Sequence, residues 1–191
     1  MEKGERMNLE DQTLDDGGIL LQIGGIVRES IVDGPGIRMT VFTQGCTHNC
    51  PGCHNQPLQP FEGGTCMTVA EIMAQARANP LLDGITLSGG EPFQQAVACA
   101  ALARSAKAAG LHVMAYTGYL FEDLLAVSMK DRTEAGPSGW KELLVQLDIL
   151  VDGPFMLSQR DLLLRFRGSA NQRLIDVPAS LKACAAIGLS E

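Results

Sequence analysis

Between residues 37 and 53 the chain passes without a break from a strand pattern into a cluster of thiols, and few folds can hold both. Ile37-Arg38-Met39-Thr40-Val41-Phe42-Thr43 alternates with period two and is rich in β-branched residues, which predicts a half-buried strand. It runs directly into Gln44-Gly45 and then Cys46-Thr47-His48-Asn49-Cys50-Pro51-Gly52-Cys53, a CxxxCxxC run. The strand must therefore deliver its carboxyl end to a loop crowded with soft metal-binding groups. Thiolates from Cys46, Cys50 and Cys53 can hold three irons of a cubane [4Fe–4S] cluster, leaving the fourth iron to an exogenous chelator. A closed zinc site is the rival, with His48, His54 or Cys66 as the fourth ligand. Zinc knuckles usually come in pairs and no second pair follows, yet spacing alone leaves both readings open.

Beyond the thiols, short apolar runs alternate with helical patterns. Thr68-Val69-Ala70-Glu71 is a capping box that opens a helix ending at Asn79-Pro80. Strands are expected over 84–88, 111–116 and 148–151, and helices from about Gln94 to Gly110, from Phe121 and from Trp140. A polar loop spans Lys130 to Gly139, and 162–167 with 173–177 reads as a final pair of strands. Such alternation predicts an α/β fold with a mainly parallel sheet and right-handed crossovers. An eight-fold barrel takes about 250 residues, so 191 residues allow only an incomplete parallel β/α barrel, open at the side. Sheets of this kind carry their chemistry at the carboxyl ends of strands. The thiol loop, Gly89-Gly90-Glu91-Pro92, Thr117-Gly118-Tyr119 and Asp152-Gly153 all fall there.

Composition closes off several function classes. A formal net charge of −7 argues against nucleic acid as a direct partner, because phosphate binding wants a basic face. No apolar run reaches the roughly 20 residues of a membrane span, and the charged N-terminus is not a secretory signal. Residues 1–17 are expected to form a disordered acidic tail before one domain over 18–191, in a cytoplasmic protein. From residue 156 onward the chain is locally basic, with Arg160, Arg165, Arg167 and Arg173.

The segment Gly89-Gly90-Glu91-Pro92 sharpens the metal reading. Two glycines after a strand admit a close backbone approach, and the Glu91 carboxylate can accept from an ammonium group. One βα unit after the thiol loop, this suits an amino-acid ligand whose amine and carboxylate chelate an open iron.

The run Gly34-Pro35-Gly36-Ile37-Arg38, then Phe42, Gly45-Cys46, Cys50, Cys53 and Asn55, resembles the signature of radical S-adenosylmethionine enzymes that activate glycyl radical enzymes. Four further stretches resemble the branch that activates anaerobic ribonucleoside-triphosphate reductases. They are Cys50-Pro51-Gly52-Cys53-His54-Asn55, Tyr116-Thr117-Gly118-Tyr119, Leu150-Val151-Asp152-Gly153 and Arg167-Gly168-Ser169-Ala170-Asn171-Gln172.

The resemblance implies a radical S-adenosylmethionine fold with one [4Fe–4S] cluster on Cys46, Cys50 and Cys53. It implies S-adenosylmethionine held near Gly52, Cys53, His54, Gly89, Gly90, Glu91, Thr117 and Asp152. No side chain is expected to act as acid or base. The implied partners are the large subunit of the reductase and a low-potential one-electron donor of flavodoxin or ferredoxin type. Where many radical S-adenosylmethionine enzymes carry an aromatic residue before the last cysteine this chain has Gly52, which the reductase activators share. Activators of pyruvate formate-lyase and a zinc-binding interaction module without catalysis are the alternatives.

Overall fold

The computed structural model describes residues 16–129 and 138–189. Among them one seven-stranded sheet runs in the order β3-β1-β2-β4-β5-β6-β7. Its strands are β1 Leu20–Ser30, β2 Arg38–Thr43, β3 Thr65–Thr68, β4 Gly84–Gly89, β5 His112–Tyr116, β6 Ile149–Asp152 and β7 Arg173–Asp176. The helices are α1 Val69–Arg77, α2 Ala96–Ala108, α3 Phe121–Met129, α4 Trp140–Leu144 and α5 Val177–Ala183. Strands β2, β4, β5 and β6 pair in parallel, while β1, β3 and β7 pair antiparallel at the flanks. The mainly parallel sheet is thus a mixed one, with two strands, β1 and β3, that the alternation did not suggest. None of the described helices is long and apolar enough to cross a membrane.

Each central strand turns alternate residues to opposite faces. Met39 and Val41, Ile85 and Leu87, Val113 and Ala115, and Leu150 enter the core beneath α1, α2 and α4. Phe42, Ser88 and Tyr116 line a cleft on the other face. The predicted capping box is present: Thr68 Oγ1 accepts from Glu71 N at 3.2 Å and Glu71 Oε2 from Thr68 N at 2.8 Å.

Other expectations need correction. Gly24-Gly25 interrupts the alternation in Leu20–Ser30 and hides β1 from sequence reading, although it is an eleven-residue strand. Residues 162–167 form no strand; they belong to a strap of chain between β6 and β7. Strand β7 ends at Asp176, whose Oδ1 caps α5 by accepting from Ala179 N at 2.9 Å. Residues 1–15 of the expected acidic tail lie outside the described residues, as do 130–137 of the polar loop. Asp16, assigned to the tail, is tied down: its carboxylate accepts from Arg104 Nε and Nη2, both at 2.8 Å.

Candidate iron–sulfur and cofactor site

The thiol loop leaves the carboxyl end of β2 and is held by backbone and amide contacts. Gly45 N donates to Leu58 O at 2.8 Å and Cys46 N to Gln59 O at 2.9 Å, which pins the loop to a 3-10 turn at Gln56–Leu58. The Gln44 side-chain amide donates to Pro60 O at 2.7 Å, and Gln95 Nε2 to Gln44 O at 2.9 Å. Asn55 N lies 3.4 Å from Cys53 Sγ, and Asn55 Nδ2 donates to Gly89 O at 3.3 Å. Gln44 and Gln95 were not singled out in the sequence; only their packing reveals them.

Cys46, Cys50 and Cys53 are each half-buried along one wall of a cleft of about 420 Å³. His54, Gly89, Gly90, Glu91 and Thr117 line it too. That volume lies in the range of small-molecule sites, about 300–1,000 Å³. Burial raises the Cys46 and Cys50 thiols above their ordinary values, so metal loading must release protons from them. Among the described residues no three His, Cys, Asp or Glu side chains converge on one metal ion. A cubane spreads its thiolates over separate irons, whereas a structural zinc draws four ligands onto one ion. Cys66 stands exposed on edge strand β3, outside the cleft lining, and His48 is engaged elsewhere. The donor set fits a cluster held by three thiolates.

Glu91 is only 1% exposed, and its carboxylate is fully subscribed. Oε1 accepts from Phe93 N at 3.0 Å and Thr117 Oγ1 at 2.9 Å. Oε2 accepts from Gly118 N at 2.8 Å and meets the His48 ring at 2.9 Å. A carboxylate offers about four acceptor positions, so the expected pairing of Glu91 with a ligand ammonium requires displacement of one of these donors. Glu91 instead braces the thiol loop through His48. That ring packs edge-on against Tyr119 at 4.4 Å, and a Cβ on Gly118 would stand 2.5 Å from it. The sequence offered His48 only as a zinc ligand. Thr117 likewise serves Glu91.

The paired glycines also prove to be a contact within the chain itself. A Cβ on Gly90 would strike the Gly45 carbonyl, and one on Gly89 would lie 2.5 Å from Thr43 N. Their bareness lets the end of β4 press against the root of the thiol loop. Gly52 (φ +74°) forms an exposed turn beneath Leu157 and does not line the cleft. His54 lines it and faces the Phe155 ring at 5.7 Å.

Asp152 is a correction. Pairing in register with β5 puts it on the same face as Leu150, the helix-covered one. It is 0% exposed, accepts from Phe121 N at 2.8 Å and from Arg173 Nε at 2.9 Å, and takes no part in the cleft. Arg173 also bridges to Glu122, and these two carboxylates raise its pKa. Asp152→Asn should lower stability by about 2–3 kcal/mol, since the buried carboxylate that holds the half-exposed Arg173 guanidinium loses its charge. Its affinity for S-adenosylmethionine, read by calorimetry on the cluster-loaded protein, should be unchanged; a large rise in the dissociation constant returns Asp152 to the cofactor.

The 4Fe-4S single cluster domain family matches residues 32–175. "Anaerobic ribonucleoside-triphosphate reductase-activating protein" from Salmonella typhi is 33% identical over 150 residues, covering 74% of this chain and 90% of that protein. Its namesake from Escherichia coli K12 is 34% identical over 152 residues, with the same coverage. That of bacteriophage T4 is 28% identical over 149 residues, covering 75% and 86%. Among solved structures, QueE from Escherichia coli aligns over 57% of this chain and 58% of its own, at 13% identity and a TM-score of 0.46, too remote to bear on function. With the thiol loop, the cleft and these relatives together, the chain belongs to the anaerobic ribonucleoside-triphosphate reductase-activating protein family, on a 4Fe-4S single cluster domain.

Proposed function

We propose that this protein is a radical S-adenosylmethionine activase that installs the glycyl radical on the large subunit of an anaerobic ribonucleoside-triphosphate reductase. The family's cofactors are a [4Fe–4S] cluster and S-adenosylmethionine. The observation that carries the proposal is three thiols sharing one cleft wall, in a chain whose relatives carry that name. The mixed sheet is read as the incomplete β/α barrel expected from length, residues 18–191 as one radical S-adenosylmethionine domain, and the cytoplasm as its compartment. A low-potential donor of flavodoxin or ferredoxin type supplies the electron.

When bound, the cluster and S-adenosylmethionine supply reductive cleavage of the sulfonium C–S bond and the adenosyl radical that takes a glycine Cα hydrogen. The chain supplies placement. Cys46, Cys50 and Cys53 hold the cluster; Gln44, Gln95, Asn55 and the His48–Glu91 contact keep their loop in one shape. Gly89, Gly90 and His54 border the space for the cofactor, while Phe42, Phe155 and Phe166 give it apolar walls. No cleft side chain is assigned a proton transfer.

The test combines anaerobically reconstituted protein, a low-potential reductant and S-adenosylmethionine, with and without the reductase large subunit. The expected result is 5′-deoxyadenosine together with a glycyl doublet in electron paramagnetic resonance when the subunit is present. A protein that stays colourless and iron-free with air excluded overturns the proposal. So does cofactor cleavage that never yields the doublet.

A further inference from the structure

The thiol loop has two sides, and the cleft occupies one of them. A second hollow, of about 640 Å³, opens where the starts of β1, α2 and α4 meet. Ile19, Leu20, Phe93, Val97, Tyr119 and Trp140 line it, and none of these six lines the cleft. Its apolar walls reach the surface: Leu20 is 61% and Val97 50% exposed. Apolar groups gathered at the mouth of a hollow mark an interaction site more often than scattered ones do.

Two sets of contacts join this hollow to the thiol loop. The buried Trp140 ring meets the Tyr119 ring with centroids 4.6 Å apart, and Tyr119 meets His48, which lines the cleft, at 4.4 Å. His48 stands two positions from Cys46 and two from Cys50, so short stretches of backbone connect its ring to two of the thiols. In parallel, Gln94 Nε2 donates to Tyr119 Oη at 2.7 Å and to Thr47 Oγ1 at 3.1 Å. Trp140 is fixed in turn by its Nε1, which donates to Phe93 O at 2.9 Å. Packed rings, hydrogen bonds and covalent bonds thus run from the hollow to the loop. Electron transfer between fixed centres weakens steeply with each gap that no bond or packed atom bridges, and this path has none wider than a ring contact. The rings accept no electron at the potentials of such clusters; they are the medium through which it passes. Entry from this side also leaves the cleft free for the cofactor and the target glycine.

We propose that the hollow bounded by Leu20, Val97 and Trp140 docks a flavin-bearing one-electron carrier protein, whose electron reaches the cluster through Trp140, Tyr119 and His48. This rests on the proposed function and adds where the electron enters and by which route. The shape of the hollow selects the carrier. A redox group kept behind a peptide loop asks only for a flat face, whereas a flavin carrier presents the apolar edge of a planar ring. A hollow in the volume range of small-molecule sites, about 300–1,000 Å³, with aliphatic rims and an indole in its wall, suits that edge. In the transfer the carrier is oxidised by one electron and the cluster is reduced by one, with no bond made or broken.

The experiment uses cluster-loaded protein with photoreduced flavodoxin as the donor. Dithionite, small enough to reach the thiols from the cleft, is the comparison. Flavodoxin affinity is read by calorimetry, and the reduction rate per cluster by stopped-flow absorbance. Leu20→Asp and Val97→Glu put a charge on the rim. Both side chains are exposed and outside the cleft lining, and an acid suits the first turn of α2, so melting temperature, iron content and reduction by dithionite should hold. Flavodoxin affinity should fall about tenfold in each. Tyr119→Leu removes the middle ring and should lower the ratio of flavodoxin-driven to dithionite-driven rate several-fold at saturating donor; Tyr119→Phe keeps the ring and should restore that ratio. Unchanged affinity in both rim variants overturns the docking site, while cofactor cleavage and glycyl radical formation with dithionite leave the activase intact. An unchanged ratio in Tyr119→Leu overturns the route. Wild-type protein that takes electrons from dithionite but none from flavodoxin overturns both. Rim variants that lose self-association while keeping flavodoxin assign the hollow to a second copy of the chain and also overturn the proposal.

Discussion

Cys46→Ala, Cys50→Ala and Cys53→Ala should each yield a folded protein that holds little iron and cleaves no S-adenosylmethionine. The three thiols are half-buried on a loop outside the apolar core. Trading one for a methyl group removes little packing, and the metal-free chain should unfold within about 1 kcal/mol of the parent. The effect on the metal is of another size. Removing groups that merely orient a ligand costs about 10–100-fold in metal affinity or activity; removing the ligand itself should exceed that. Three thiolates are already one fewer than the usual four around such a cluster, so no spare donor stands by. Iron and sulfide analysis after anaerobic reconstitution, with 5′-deoxyadenosine measured in parallel, checks this. Cys66→Ser and Cys184→Ser are the controls: both residues are exposed and away from the cleft, and iron should be unaffected. Near-full iron with normal cleavage in any one of the three alanine variants removes that cysteine from the ligand set.

The second large effect lies at the opposite end of the strands. Arg38 is fully buried at the start of β2. Its guanidinium donates to Thr86 Oγ1 at 2.6 Å, Ile85 O at 2.7 Å, His112 O at 3.1 Å and Pro35 O at 3.2 Å. One side chain thus joins β2, β4 and β5 to the turn before β2. Burial pushes its pKa down to about 10, the expense of removing a cation from water without a carboxylate in contact. Arg38→Ala strands several acceptors around a cavity and should cost about 3–5 kcal/mol. For a chain of this size that is a fall in Tm of roughly 6–20 °C. Lysine keeps the charge but not the planar fork, so Arg38→Lys should fall between the two. Calorimetric scans of the metal-free proteins decide it; a Tm within about 2 °C of wild type for the alanine variant sinks the bracing role. Arg38, in the Gly34–Arg38 run that carries a family resemblance, therefore braces the sheet at the end of β2 opposite the thiol loop.

Legibility from sequence followed the range of the interactions. The strand into Cys46, the capping box at Thr68 and the crossing helices rest on contacts between near neighbours, and periodicity reports those directly. The glycines at 89 and 90 read in the sequence as room for a ligand to approach the backbone; in the structure the chain's own Gly45 and Thr43 press against them. Glu91 was expected to face a ligand. Its donors His48, Thr117 and Gly118 lie 26 to 43 positions away in the sequence, so nothing local could show that its acceptor positions are filled.

The amino-acid order by itself determined where three thiolates stand together, which strand presents them and which family the chain resembles, because each is a matter of spacing. Only the tertiary structure decided which face of β6 Asp152 occupies, that His48 clasps Glu91, and that a basic, leucine-tipped strap borders the cleft. Side-chain identity and position survive in one dimension. Whether a polar group is already paired, or an apolar one left bare, depends on residues far along the chain and appears only once the sheet has brought them together.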